Sequence, residues 1–328
     1  MIAIVGGGLA GTVLANLLYK KKIEFHWYHD RKPSASHISS GIFNPITGRK
    51  YALSWNYEAC VRTAIDFYGV HLKSVAITKQ FIPYNDTITA QEVVQANETY
   101  LRLIDENWIE VRRCYQLDVS GYIEETIAIL QTAQIPTYSS FEHHVLRTNG
   151  KTWIYQDIHY DKILFAEGIK AVENPYFQDV SFIPNRGEAL YIDVENFQLN
   201  TVKKVKKFIC HFRGKFWIGS SFDRVDITAP IHTQEQYDRL RHAIPELIDH
   251  HNFEILEHLG ALRSTTLDRR PIVGESPRHP NLFMFNGFGT KGASLIPYCA
   301  IELWNLIHDC KPLDSEISID RFKKRMRL

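Results

Sequence analysis

Three glycines stand near the amino terminus as Gly6-x-Gly8-x-x-Gly11. They separate an apolar run, Ile2-Ala3-Ile4-Val5, from a stretch, Leu9 to Lys22, whose leucines recur with helical period. The chemistry of such a turn is phosphate binding. The first glycine permits the tight turn, the second lets the backbone approach a pyrophosphate, and the third lets helix and strand pack closely. Leu9 and Ala10 open the helix, where free N–H groups and the positive dipole end favour phosphate. The spacing predicts a dinucleotide site. A motif of this kind usually ends with an acid at the tip of the second strand, bonded to a ribose. Here that position falls on His29, with Asp30 one residue later. Either Asp30 reaches the ribose or His29 supplies a different hydrogen bond.

These residues need elements to hold them. The apolar run at 2–5 reads as a strand buried on both faces of a parallel sheet. Phe25 and Trp27 alternate with His26 and Tyr28 in a second strand, and residues 34–50 read as loop. A helix over about 56–72, strands around 75–81 and 109–117, and a helix over 124–133 follow. Residues 152–155 and 162–166 read as strands returning to the first sheet. Residues 180–235 are strand-rich, 234–248 read as a helix, and 293–308 as an amphipathic helix. The basic run Lys203, Lys204, Lys206, Lys207 reads as a solvated strand or turn.

The chain has 328 residues, which at about 150 per domain predicts two domains. Lys and Arg total 38 against 37 Asp and Glu, a net charge of +1, so no global charge draws the protein to nucleic acid or membrane. The five cysteines form no CxxC pair, so neither a disulfide framework nor a metal site is expected, and a reducing cytoplasmic setting fits. No signal peptide and no apolar stretch of spanning length is visible.

Near the carboxyl end, Gly260-Ala-Leu-Arg263-Ser-Thr-Thr-Leu-Asp268-Arg-Arg-Pro-Ile-Val-Gly274 precedes the apolar Leu282 to Phe285. Asn286-Gly287-Phe288-Gly289-Thr290-Lys291-Gly292 and the final helix follow. This order resembles the D-amino-acid oxidase superfamily of FAD enzymes, which includes glycine oxidase and sarcosine oxidase. Asp161 to Gly168 resembles that family's strand ending in Ala-x-Gly beside the FAD, and Arg186-Gly187-Glu188 its entry to a substrate-domain strand. Tyr28-His29-Asp30, Ser40-Gly41-Ile42-Phe43-Asn44-Pro45 and Gly287 to Gly292 are similar to the FAD-dependent C-terminal domain of the bacterial bifunctional enzymes that make 5-methylaminomethyl-2-thiouridine in tRNA. The chain has no counterpart of their methyltransferase half.

The resemblance implies an α/β fold. A FAD-binding Rossmann-like domain (1–75, 136–180 and 240–328) would be interleaved with an antiparallel-sheet α+β substrate domain (76–135 and 181–239). It implies oxidation of a C–N bond in a small amine or amino acid, by hydride transfer to flavin N5. Arg263 matches the arginine that clamps a substrate carboxylate; the alternative is a structural ion pair with Asp268 or a nearby acid. Lys291 would stabilise negative charge on the reduced flavin; the alternative is a surface loop lysine. Ser39, Ser40, Gly41, Ala166, Gly168, Gly287, Gly289, Thr290 and Gly292 would border the cofactor, and Arg49 would lie near the flavin or in a loop ion pair. Ala261 stands where some relatives attach the flavin through cysteine, so the FAD would be non-covalent. A tRNA substrate and a flavoprotein without turnover are the competing functions.

Overall fold

The computed structural model describes residues 1–32, 34–248 and 252–325, with the side chains of 323–325 left aside. Two sheets organise it. The first has six strands in the order Ile272–Glu275, Leu282–Asn286, Lys162–Phe165, Ile2–Val5, Phe25–Tyr28 and Thr137–Tyr138. All neighbours run parallel except the Ile272–Glu275 edge. Ile2–Val5 lies in the middle with every residue buried, as its unbroken apolar sequence predicts. Val5 sits level with both Tyr28 and Phe165, so three strands end side by side.

Helix Leu9–Lys20 returns over one face of this sheet on Leu9, Val13, Leu14, Leu17 and Leu18. It packs against helices Val119–Thr132 and Gly292–Asp309, and the latter packs against Tyr57–Tyr68. Polar ties register these helices: Asn16 donates to the Tyr122 hydroxyl at 2.7 Å, and the Tyr68 hydroxyl donates to Ala293 O at 2.9 Å. The opposite face is covered by an antiparallel three-stranded meander, Arg147–Thr148, Trp153–Tyr155 and Ile158–Tyr160, through Tyr155 and Tyr160.

The second sheet is antiparallel apart from the parallel pair Leu72–Gln80 with Val202–Lys204. Its spine is Ile183–Asp193, paired with Glu254–Thr265 on one side and Lys215–Gly219 on the other. Alternation divides the faces. Leu190, Ile192, Ile209 and Ile218 meet Leu240, Ile244 and Leu247 of helix Gln234–Leu247. Gly187, Ala189, Phe208 and Trp217 face the other way, into a cleft toward the first sheet.

The strands do not divide where the sequence suggested. Glu254–Thr265 lies within the expected cofactor segment 240–328 yet pairs along its length in the second sheet. Helix Val119–Thr132, expected in the substrate domain, packs on the glycine helix. It also starts earlier than 124, because the Asp118 carboxylate accepts the Gly121 N–H and caps it. Leu72–Gln80 and Trp108–Leu117 form a long antiparallel pair.

Gly11 fixes the helix to the first strand. A Cβ there would stand 1.9 Å from the Gly6 carbonyl oxygen. Gly11→Ala must therefore push helix and strand apart, at a cost of about 1–3 kcal/mol. Chemical denaturation of the flavin-free protein should give a lower midpoint; an unchanged midpoint would mean the helix moves without penalty.

Candidate active site

The carboxyl ends of the parallel strands open on a cleft of about 840 Å³ between the two sheets. Crevices at this end of parallel sheets are where ligands bind. Gly6, Gly8, Leu9 and Ala10 line it; Gly11 lies behind, holding helix to strand. Gly8 has extended backbone angles, φ −77° and ψ −176°, that any residue can adopt. A Cβ on it would meet only the hydroxyls of Ser36 at 3.2 Å and Ser34 at 3.6 Å. The backbone angles do not demand glycine, and a side chain would ask Ser36 to give by a few tenths of an ångström. The absent side chain leaves open space at a helix N-terminus on the cleft, which suits a pyrophosphate. Ser36 Oγ accepts the Leu9 N–H at 3.0 Å; sequence reading passed over this serine as one of several in a loop.

The two candidates for the ribose are separated by their partners. Asp30 is bound to Lys170 Nζ at 2.8 Å and accepts the Lys32 N–H at 3.2 Å. His29 borders the same cleft, is buried, and has no hydrogen-bond partner on either ring nitrogen. A buried polar group without a partner is costly. Burial, helped by the Arg31 cation, pushes its pKa down to about 4, so the ring is neutral near pH 7. A neutral imidazole offers one donor and one acceptor.

The loops that close the cleft are tied to one another. Ser39, Ser40 and Gly41 line it, and Trp217 of the second sheet donates its indole N–H to Ile38 O at 3.0 Å. Ala166 and Gly168 follow the strand Lys162–Phe165 on the same rim. Asn286 donates to Gly168 O at 2.8 Å and accepts from the Ser264 hydroxyl at 2.7 Å and the Gly287 N–H at 2.8 Å. Gly287 itself is turned away, against Thr266 and Ile272. Gly289, Thr290, Lys291 and Gly292 do line the cleft, and helix Gly292–Asp309 starts there. Lys291 is not a surface lysine. It donates to the Thr47 hydroxyl at 3.3 Å, and burial, with Arg270 and Arg269 nearby, lowers its pKa. Arg49 is exposed and is absent from the lining.

Arg263 comes from the second sheet. Its guanidinium donates to Asn185 Oδ1 at 2.9 Å, Ser221 O at 3.3 Å and Ser220 Oγ at 2.9 Å, all neutral acceptors. Asp268 pairs instead with Arg321 at 2.8 Å. Burial lowers the Arg263 pKa to about 10, against the pull of Asp223, so the cation persists. It lies flat on Gly187, where a Cβ would sit 1.7 Å from Nη2.

Glu188, fully buried, contacts Arg186 at 3.0 Å and His258 at 2.8 Å, and accepts both the N–H and the hydroxyl of Thr233. With His232 it forms the one trio of metal-type ligands among the described residues. Its carboxylate oxygens already have those four contacts, so the trio reads as a tie between strand and helix. None of the five cysteines lines the cleft.

Comparisons with known proteins agree with this architecture. The family model described as "FAD dependent oxidoreductase" (DAO) matches residues 128–306, more than half of the chain. Among curated proteins, the chain is 22% identical to the tRNA 5-methylaminomethyl-2-thiouridine biosynthesis bifunctional protein MnmC of Legionella pneumophila (strain Corby). That alignment covers 93% of this chain and 54% of the relative, so the chain spans about half the length of the curated relatives it matches. Among solved structures, iminodiacetate oxidase from Chelativorans sp. BNC1 superposes with a TM-score of 0.78 at 14% identity, covering 97% of this chain and 99% of that one. Glycine oxidase from Bacillus cereus ATCC 14579 gives 0.72 at 15% identity, with 95% of each chain covered. The glycine turn, the cleft and the family match converge on one conclusion: the chain belongs to the DAO family of FAD-dependent oxidoreductases, in the D-amino-acid oxidase superfamily.

Proposed function

We propose that the protein oxidises the C–N bond of a small amine or amino acid in the cleft between its two sheets. The observation that carries this reading is Arg263, a cation in the cleft wall whose fixed partners are all neutral. Those bonds use three of its five N–H groups and leave two for a ligand. A guanidinium of this kind suits a carboxylate, which it holds in one plane.

FAD, when bound, supplies the two-electron acceptor for the reaction. Gly8, Leu9 and Ala10 would hold its phosphates, and His29 its adenosine ribose. Ala166, Gly168, Ser39, Ser40 and Gly41 would flank it, as would the turn Gly289 to Gly292. Ala261, in the cleft wall, gives no covalent link. The N-terminus of helix Gly292–Asp309 and the Lys291 ammonium both favour negative charge at that end of the cleft, a preorganised electrostatic contribution. Arg263 orients the substrate. No described acid has to serve as a strong base if the amine enters neutral.

A second reading, oxidation of a modified uridine within tRNA, is supported by the similarity to MnmC across 93% of this chain. The two separate in one experiment, anaerobic addition of amino acids, simple amines and tRNA to the yellow protein. Bleaching by an amino acid favours the first reading and bleaching by tRNA alone the second. A flavin reduced by none of them defeats both.

Three outcomes are expected. Gly8→Val should fold with a small shift of Ser36, because its backbone angles suit any residue, but purify without flavin; a yellow valine variant would remove the phosphate assignment. Arg263→Ala should keep FAD and raise KM for a carboxylate substrate by about 10- to 150-fold, from the roughly 1.5–3 kcal/mol of a charge-assisted hydrogen bond. Unchanged KM would remove Arg263 from the substrate site. Because the His29 pKa is depressed in the fold to about 4, the unfolded chain binds more protons between there and about pH 6.5. Its contribution is complete above that window and lost as pH falls through it, so His29→Gln should flatten the acid limb of stability against pH. An identical limb in both proteins would contradict this.

A further inference from the structure

Besides Lys32 and Lys170, which sit against Asp30, the cleft lining holds two cations that the reaction above does not use. Lys79, in strand Leu72–Gln80, and Lys204, in strand Val202–Lys204, are direct register partners on adjacent parallel strands. Strands so paired lie about 4.8 Å apart, and residues level with each other share a face. Both lysines line the cleft, and Lys79 is buried. Among the described residues their close partners are rings: Lys79 Nζ lies 3.9 Å from the centre of Tyr51, and Lys204 Nζ 4.0 Å from that of Phe208. Among the described residues neither forms an ion pair, and the charges acting on them are cations, Lys204 on Lys79 and Lys207 on Lys204. Lys207 lies outside the cleft lining and is acted on by Asp223 as well as by Arg239 and Arg263.

Such a pair works against the fold. Like charges side by side on a sheet destabilise it, and a buried ammonium without a counter-ion is costly. A ring face offsets part of that cost but neutralises nothing. Two methionines would fill the same space without the repulsion. The charges become favourable only when an anion lies between them.

We propose that Lys79 and Lys204 form a second anion subsite, so that the preferred substrate is an amine bearing two acidic groups. One is held at Arg263 and the other, a carboxylate or a phosphate, at the lysine pair. The inference rests on the Arg263 reading for the first group. Lys79 and Lys204 make no contact with the reacting bond; they set which amine is selected.

The test uses the FAD-loaded protein and inert ligands followed by the flavin absorption band. Straight-chain monocarboxylates are compared with dicarboxylates and ω-phosphono carboxylates of the same lengths. At one chain length a doubly acidic ligand should bind about tenfold or more tighter than its monocarboxylate, and whether the dicarboxylate or the phosphono acid gains more identifies the second group. Lys79→Met with Lys204→Met should abolish that preference and leave monocarboxylate binding within about twofold. If the double variant does not fold, either single variant should reduce the preference. Equal binding of single and double acids at every length in the unaltered protein overturns the subsite but leaves Arg263 standing, provided the monocarboxylates still bind and weaken in Arg263→Ala. Doubly acidic ligands preferred equally by the methionine variants also overturn it. If no acid perturbs the flavin, the Arg263 reading fails and the subsite fails with it; a response to tRNA alone has the same consequence.

Discussion

The contact between Gly11 and the carbonyl of Gly6 is closer than any side chain permits, and much of the molecule depends on it. It brings the start of helix Leu9–Lys20 directly over the end of the central strand. Because three parallel strands stop at that level, the helix N-terminus, His29 and Ala166 meet on one rim. The apolar face of the helix then sets where Val119–Thr132 and Gly292–Asp309 pack, and the latter brings its own N-terminus to the same cleft. A local steric requirement at two glycines thus places two helix dipoles on one cavity, both favouring negative charge.

The second sheet contributes the opposite wall, and its electrostatics are arranged differently. Acids near the cleft are engaged: Asp30 with Lys170, Glu167 with His143 and Asn174, Glu188 with Arg186 and Thr233. Arg263, Lys291, Lys79 and Lys204 have no acid partner among the described residues. A cavity lined this way has a positive interior although the chain is almost neutral overall. Net charge therefore says little about the ligand, because it sums surface ion pairs that cancel and buried cations that do not.

The glycine turn, the parallel strands and the last helix were legible because their signals are local: spacing, an unbroken apolar run and helical period within a few residues. The division between sheets was not. Glu254–Thr265 carries glutamates and a histidine that blur strand alternation, and its place is fixed by the distant strand Ile183–Asp193, where Ile183 pairs with Thr265 and Asp193 with Glu254. Of the ribose candidates, the chain alone left His29 and Asp30 open, since the choice depends on Lys170, which arrives from another strand connection. The run at 203–207 looked solvated, and Lys206 is indeed exposed. Lys204 became a cleft residue only when paired with Lys79, more than a hundred residues earlier.

That pairing also clarifies what the fold conserves of its own accord and what it does not. Tyr57 and Tyr51 are buried, and their hydroxyls are satisfied within the fold, Tyr57 donating to Arg113 O and Tyr51 bonded to the backbone of Ile82. Gly8 and the Lys79–Lys204 pair belong to a different category. At Gly8 the backbone would accept a side chain, and at the lysines the sheet would accept apolar groups, yet in each case the residue present is the one the isolated fold does not favour. On the proposed reading, the free energy that favours glycine at the first and positive charge at the second comes from a molecule in the cleft. On that reading, the phosphate end and the acid end of the cavity carry the same physical sign, a local choice that costs the empty protein and is offset on binding.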